Sequence, residues 1–582
     1  MKAWLNSIIN IMNALTENKK MMKYRPIPVL ITLLILISSG SSLFAQGKQY
    51  TEEVTVVAPY IPSISDANKI NFSPTVQDTT MPKPDFTYGI KSTIIPTSYA
   101  PDAIEPAKMA GEPISKLYDN YLKAGFGNYS SPLFELYHNN SRSKDMNYGF
   151  SLHHFSSAGK IKDYGFPGFS NDDIKVFGRK NWDKKSTLNA SLGFNRQVFH
   201  YYGYKEAQFH TLPTKDETKQ RYALFNANVG WKTAETDSSK VSNDLNFKFY
   251  HLNDLFKTKE TSFSLEDKIG QNVKWLSISP TQKWEIEGGF DYHTRKTDPL
   301  ESQNTWVLGI KPQFSAELGG LNVNIGLNTQ IVHDTSTDLH LYPMIEVKGM
   351  LIPEVLSFYA GIDGTMKEYS EYDLITANPF VSHIVKSSFA NVTYHFYGGI
   401  RARFFEQADL RLEVNQSHID DMPFFITDYS VVYANKFIAV YDKADLLKVK
   451  ADVGYHFEKK LEIRDALEWA HFITNMEKPW HVPELINTLS IKYNIQEKIM
   501  LNVEFIYYGK MYAPAKPVGT ETIGKAISLD ARPDLNLGVE YKYSRLIGAF
   551  LNVNNILNKN YPLWYNYPSK GINVLAGLSF SF

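Results

Sequence analysis

The sequence predicts an all-β fold, a transmembrane antiparallel β-barrel of about 22 strands within a range of roughly 18 to 24. Four observations predict it. From about Leu117 onward, runs alternate between apolar and polar side chains, the period of a strand with two different faces. Each run is about ten residues long, enough for a tilted strand to cross a bilayer core. The chain is rich in aromatics, with 36 Tyr and 35 Phe in 582 residues, yet its mean hydropathy is slightly polar. That combination suits a wall with an apolar outside and a wet inside. The last run is an apolar-faced strand that ends on Phe582.

Bulk properties remove several function classes. Acidic and basic residues balance at 61 each, so there is no basic excess to release counterions from a nucleic acid. The chain has no cysteine. That excludes disulfides, thiolate zinc sites, iron–sulfur ligation and a thiol nucleophile, together with a lipoprotein anchor built on cysteine.

Residues 1–45 read as an upstream extension followed by a secretory signal. Lys19, Lys20, Lys23 and Arg25 precede an apolar run from Pro28 to Ile37, and small residues lead to Ala45. This order of charged, apolar and small-residue regions marks a cleavable signal, and the run is short for a membrane span. Cleavage after Ala45 would leave Gln46 first, and Met21 or Met22 is a more natural start than Met1. Residues 46–116 form a second region. Nine of the 28 prolines fall there: Pro59, Pro62, Pro74, Pro82, Pro84, Pro96, Pro101, Pro106 and Pro113. Proline interrupts helix and sheet alike, so the segment is expected to be extended, and periplasmic or luminal.

Residues 117–582 are the expected barrel. Trp284, Ile286, Phe290 and Tyr292 alternate with Glu285, Glu287, Asp291 and His293. Leu321, Val323, Ile325, Leu327 and Ile331 alternate with Asn322, Asn324, Asn328 and Gln330. Equivalent runs centre on Phe396, on Val453 and on Val539. Some runs join through short turns, at 496–498 and near 406–407; others are separated by long polar stretches such as 156–170, 201–218 and 509–528. Short turns at one end and long loops at the other are the asymmetry of outer-membrane barrels. A soluble propeller would alternate too, but would show a sequence repeat at fixed spacing, and none is present.

The final strand carries the most specific signal. Ile572, Val574, Ala576, Leu578, Phe580 and Phe582 share one apolar face. Leu578, Phe580 and Phe582 resemble the C-terminal signal read by the outer-membrane insertion machinery. The preceding stretch, Asn555-Ile556-Leu557-Asn558-Lys559-Asn560-Tyr561, resembles the segment before the last strand of TonB-dependent receptors. A second resemblance lies at Glu52, Glu53, Val54, Thr55, Val56, Val57 and Ala58, which look like a TonB box. In that family the box pairs with an edge strand of TonB by β-augmentation. The family also carries a globular plug of over a hundred residues between box and barrel. Only about 58 residues separate Ala58 from Leu117, so the resemblance is to plug-less barrels of this kind in Bacteroidota. What it implies is a Gram-negative outer-membrane location, contacts with outer-membrane lipids and insertion machinery, and pairing with TonB or with partner lipoproteins.

No catalytic pattern emerges, so the chain reads as a non-enzyme without cofactor or metal. Gly125-Phe126-Gly127 lacks the third glycine and the helix of a phosphate loop. His153 and His154 are neighbours in a strand-like run and should face opposite ways. Glu285, Glu287 and Asp291, like Lys448 and Lys450, read as lumen wall. Tyr561, Trp564, Tyr565 and Tyr567 read as belonging partly to an interfacial aromatic girdle, the alternative being a surface loop that binds a sugar or peptide. The expected function is a component of transport across the outer membrane; the alternatives are an assembly scaffold or a passive porin.

Overall fold

The computed structural model describes residues 117–582, apart from 141–142, 183–184, 234–240, 278, 280, 299–301, 385–386 and 520–521. The signal-like segment and the proline-rich region, including residues 52–58, lie outside the described residues.

In chain order the strands are β1 (Asn120–Gly127), β2 (Ser131–Asn139), β3 (Met146–Ser157), β4 (Phe169–Trp182), β5 (Ser186–His200), β6 (Lys219–Thr233), β7 (Ser242–Asn253), β8 (Lys259–Val273), β9 (Gln282–Lys296), β10 (Gln303–Leu318), β11 (Leu321–His333), β12 (Thr337–Ile352), β13 (Leu356–Tyr369), β14 (Ser388–Phe404), β15 (Ala408–Thr427), β16 (Phe437–Phe457), β17 (Leu461–Thr474), β18 (Leu485–Ile495), β19 (Ile499–Tyr508), β20 (Met511–Pro514), β21 (Ala526–Leu529), β22 (Arg532–Lys542), β23 (Ile547–Asn554), β24 (Pro562–Trp564), β25 (Tyr567–Pro568) and β26 (Asn573–Ser581). Twenty-two of them form one antiparallel sheet; β20 pairs with β21, and β24 with β25, as separate ribbons. The sheet closes on itself because β1 pairs with β2 on one side and with β26 on the other. Among the described residues, no helix is long and apolar enough to cross a membrane.

The expected hairpins are present. Ile495 faces Ile499 across the 496–498 turn, and Phe404 faces Ala408 across 405–407. At the end where the barrel begins and finishes, the turns run from two to eight residues; at the far end the loops reach 23 residues, between β19 and β22. The stretches near 156–170, 201–218 and 509–528 all lie at that far end.

The alternation sets the two faces. Ile286, Ile325, Phe396 and Val453 stand exposed on the outside, whereas Asn328 and Gln330 are buried on the inside. An apolar outer row and a polar inner row are what a strand between lipid and water requires. Exposed Trp182, Trp231, Trp275 and Phe405 sit near the short turns, where an aromatic girdle would meet the membrane interface. Bulges interrupt β13–β14, β14–β15 and β15–β16 toward their far ends. Beyond the last, both Phe424 and Phe425 are buried although they face opposite ways. The far end of β15 is thus covered on both faces.

The closing seam explains the Gly125-Phe126-Gly127 stretch. It is strand β1, not a phosphate loop. Gly125 lies opposite Gly577, and the Phe550 ring covers both glycines from the lumen. A Cβ on Gly125 would meet Phe550 Cζ at 2.7 Å; one on Gly577 would meet Phe550 Cε1 at 2.7 Å and would overlap the Ala124 carbonyl oxygen. Leu133, Phe550 and Leu575 form a small buried cluster there. The seam should therefore tolerate no added side chain. Gly577→Val is expected to cost about 3 kcal/mol by overpacking, read as a lower urea midpoint of the purified barrel, with Ser579→Ala nearby staying close to wild type.

Candidate functional site

The far mouth of the barrel is where the chain departs most from a bare pore. Long loops from opposite sides of the ring fold into one hydrophobic core. Its buried members include Phe199, Tyr201, Tyr202, Leu374, Phe380, Val381, Phe425, Phe437 and Tyr567. Tyr201 and Tyr202 come from the β5–β6 loop, Phe380 and Val381 from the β13–β14 loop, and Tyr567 from the β23–β26 connection. The β5–β6 and β13–β14 loops stand eight strands apart in a ring of 22, so their contacts run across the opening. Phe380 stacks on Tyr567 at 3.8 Å between centroids, and Tyr202 meets both rings edge-on. The Tyr201 hydroxyl donates to the Val381 carbonyl at 3.2 Å, and the Tyr202 hydroxyl to the Pro568 carbonyl at 3.0 Å.

Backbone pairing reinforces the seal. Val381 bridges Phe437 in parallel, and Trp480 bridges Tyr512 likewise. Ser382 N–H donates to the Phe437 carbonyl at 2.7 Å, and Phe437 N–H to the Phe380 carbonyl at 3.0 Å. Asn435 spans the loops: its amide donates to the Tyr201 carbonyl at 2.7 Å, and its carbonyl accepts from the Tyr567 hydroxyl. A second core, with Phe424, Ile426, Ala444 and Trp480, continues the covering. Loops buried this deeply need their polar groups paired internally, and these bonds do that.

A buried polar knot fastens the β13–β14 loop to the wall. Its helix α2 (Glu371–Ala377), preceded in the chain by helix α1 (Lys215–Thr218), starts with a capping box. Ser370 Oγ accepts from Asp373 N–H, and the Asp373 carboxylate accepts from Ser370 N–H, each at 3.1 Å. The next two amides, Glu371 and Tyr372, donate to the Glu260 carboxylate at 2.7 and 3.2 Å. Helix starts leave such donors unsatisfied, and here a strand β8 side chain takes them. Tyr250 also donates to Glu260 at 2.7 Å. Arg295 on β9 donates to Glu371 at 2.7 Å and to the His383 carbonyl at 2.9 Å. Glu260, Arg295 and Glu371 are all buried.

Burial tunes the loop groups. It pushes the Glu371 carboxyl up to about 7 against the pull of Arg295. It pushes His383 down to about 4, helped by Lys436 and Arg295, and His481 down to about 4. For His481 the geometry agrees: Nδ1 donates to the Phe425 carbonyl at 2.8 Å and Nε2 accepts from Tyr565 N–H at 3.3 Å, a neutral imidazole.

Below the seal the inner wall is a ladder of cross-strand ion pairs. Lys311 meets Glu287 at 2.6 Å, Lys448 meets Glu468 at 2.8 Å, and Glu285 meets Lys268 across the strands as well as Lys283 of its own strand. Glu285, Glu287 and Lys448, read inward from the alternation, are thus wall residues with an ion-pair partner beside them. His153 pairs with Glu135 and His154 with Asp172 on opposite faces. Among the described residues, no group of His, Asp and Glu is placed to hold a metal.

Of the sequence-marked residues, Leu578, Phe580 and Phe582 point outward beside the seam, 50%, 37% and 60% exposed. Glu52, Glu53, Val54, Thr55, Val56, Val57 and Ala58 lie outside the described residues. One expectation is corrected: Tyr561 and Tyr567 are buried, Tyr567 with 1% exposure, and Trp564 packs on Phe425 and Phe437. These aromatics belong to the mouth seal rather than to a girdle. The reason is that their loop folds inward over the opening. The Glu260–Glu371–Arg295 knot had no sequence signal beyond the Ser370–Asp373 spacing that starts a helix.

No protein-family model matches the chain, and no curated relative does. Solved structures do. The siderophore receptor PirA from Acinetobacter baumannii superposes with a TM-score of 0.61 at 10% identity, over 81% of each chain. The FrpB iron transporter from Neisseria meningitidis gives 0.59 at 11% identity, over 81% of this chain and 83% of that one. The ferric enterobactin receptor PfeA from Pseudomonas aeruginosa, as a double mutant, gives 0.57 at 13%, over 80% of each. The chain shares their fold.

The knot makes a pH prediction with a worked sign. A carboxyl raised from 4.5 to about 7 favours folding while protonated. Its contribution is full below 4.5 and lost as pH rises through 7. His383 and His481, being depressed, oppose it over some of this range, and Glu371→Gln leaves both in place. The protection of the 371–384 amides from hydrogen exchange, taken as wild type minus Glu371→Gln, should therefore fall between pH 4.5 and pH 7. A flat difference would remove Glu371 from the pH response.

Proposed function

We propose that this chain is an outer-membrane barrel of the TonB-dependent-receptor type that helps to move a substrate across that membrane. The observation that carries the reading is the closed 22-strand barrel with a polar lumen whose far mouth is sealed by its own loops. An apolar outer face with a polar inner one fits a lipid bilayer. The likeness to solved receptors and transporters of this fold supports the membrane and the transport class. The short turns lie at the end shared with β1 and the end of β26, which supports a periplasmic position for that end and an outer position for the sealed mouth.

A passive porin is disfavoured because porins keep an aqueous channel, whereas here the opening is crossed by packed aromatics. Opening then needs work, and residues 52–58 are the segment we assign to receive it. An extended run there would add to an edge strand of TonB through main-chain bonds. Export by a cleaved signal, a reduced plug within residues 46–116, and a role for Leu578, Phe580 and Phe582 in insertion complete the proposal.

Two experiments test it. Val54→Pro with Val56→Pro should abolish TonB binding and nutrient-dependent growth while barrel abundance stays unchanged. Retention of both would sink the TonB-energised reading. In planar bilayers the wild type should be nearly silent, and Phe380→Ala with Arg295→Ala should conduct steadily. A wild type that conducts as an open pore would return the porin reading.

A further inference from the structure

The outer wall of β16–β19 carries a group that a lipid-facing strand does not call for. On β17 the outward row includes Leu461, Ile463, Asp465, Leu467 and Trp469. Its direction is fixed by Val453, which stands exposed on the outside and lies opposite Asp465, and by Leu467, exposed on the same face. On β18, Leu489 lies opposite Asp465 and Asn487 opposite Leu467. A carboxylate and an amide therefore face outward in the middle of the apolar belt. Two apolar rows separate them from the short turns, Leu461 with Tyr493 and Ile463 with Ile491, and Trp469 with Leu485 follows beyond. Asn487 Nδ2 donates to Asp465 Oδ1 at 2.7 Å. Asp465 Oδ2 accepts no hydrogen bond among the described residues and is not buried. Arg464, next in the chain, turns into the lumen and pairs with Asp452 instead.

Other outward charges sit at the edges of the belt. His154 and Arg196 both pair with Asp172 near the far ends of β3, β4 and β5. His418 pairs with Asp445, and Lys443 with Asp420, where β15 bulges. Asp267 takes the amide of Asn243, the second residue of β7, at the short-turn edge. Lys180 is one outward position from Trp182, at the same edge. Asp465 differs in depth. An ionised carboxylate among lipid tails is unfavourable for the barrel alone, and one neutral amide donor does not neutralise it.

We propose that this face is the docking surface for a second membrane protein, one that presents a lysine or arginine to Asp465 within the bilayer. An ammonium or guanidinium supplies the donor that Oδ2 lacks, and charge-assisted bonds of this kind are the strong ones. Val453, Leu467, Leu489 and Phe505 surround the carboxylate with an apolar seat for the partner. A second copy of this chain does not fit, because Lys180, Arg196 and Lys443 stand at the edges of the belt and not at the depth of Asp465. The inference rests on the outer wall facing a bilayer and is independent of transport.

Stability separates a docking residue from a structural one. The full chain is reconstituted alone in phosphatidylcholine vesicles and unfolded in urea. Asp465→Leu should keep its urea midpoint at or above wild type, because removing a charge from the lipid face favours the barrel. A lower midpoint would make the Asp465–Asn487 bond a tie between β17 and β18 and overturn the docking face. A wild-type chain that fails to insert into the vesicles would remove the membrane reading, and the docking face with it. In the cells that make the protein, a photoreactive benzophenone side chain in place of Leu467 reports what touches this wall. The expected adduct is with one other protein, and the cross-linked peptide carries a lysine or arginine. Asp465→Asn should lower the yield of that adduct about tenfold. Asp465→Lys, combined with aspartate in place of the partner's cation, should restore it. Adducts with lipid alone or with a second copy of this chain, an unchanged yield in Asp465→Asn, or no restoration by the double reversal would each overturn the proposal.

Discussion

Closure of the sheet is the constraint on which everything else rests. Lipid offers no partner for an N–H or a carbonyl, so a strand in the bilayer must be paired on both sides. A sheet with two free edges cannot meet that condition; a ring can. Here the ring is completed by β1 against β26, and the sequence is adapted to that one seam. Gly125 and Gly577 face each other, Phe550 lies over both, and Leu578 and Phe580 turn to the outside. The outward apolar row and the inward polar row then follow from the period-two pattern where the strands cross the lipid belt.

Once the ring is closed, its interior poses the next problem. A wall of alternating residues places many charges in the lumen, and they are arranged as cross-strand pairs rather than as a belt of one sign. Such pairs in water contribute little each. Their effect is on register: a slip of one residue would send lysines and glutamates into the lipid. The bulges on β13 to β15 work differently. They break the alternation where the strands leave the lipid belt, and beyond the bulge of β15 both faces pack, Phe425 into one loop core and Phe424 into the other.

The barrel was legible in the sequence because lipid and water enforce alternation at short range, residue by residue. The runs around Ile286, Ile325 and Val453 each declared their face correctly, and the 496–498 turn declared its hairpin. The mouth seal was not legible, because it depends on contacts such as Tyr201 with Val381 and Tyr202 with Pro568, which join segments far apart in the chain and obey no period. Tyr567 shows the difference. Its aromatic neighbourhood was visible in the sequence, but whether a Tyr-rich loop lies along a membrane interface or folds across a mouth depends on partners supplied by other loops. Glu260 and Arg295 likewise sat in ordinary alternating strands; only the arrival of α2 above them turned two wall residues into a fastening.

The seal also bears on how such a barrel could work. Exposing a fully buried aromatic costs about 1.5–3 kcal/mol. Opening the mouth would expose at least Tyr201, Phe380, Phe437 and Tyr567, which come from different loops and pack on one another. At roughly 2 kcal/mol each, the open state lies about 8 kcal/mol above the closed one, a population on the order of one in a million at tenfold per 1.4 kcal/mol. No loop can swing away singly without leaving the others half buried, so the cost falls as a unit. A ligand that touched only a single loop would have to supply most of that energy alone. A pull delivered through the barrel, or a ligand that engages several loops at once, meets the requirement, and this is the physical reason why the proposed function is that of an energised receptor rather than of an open pore.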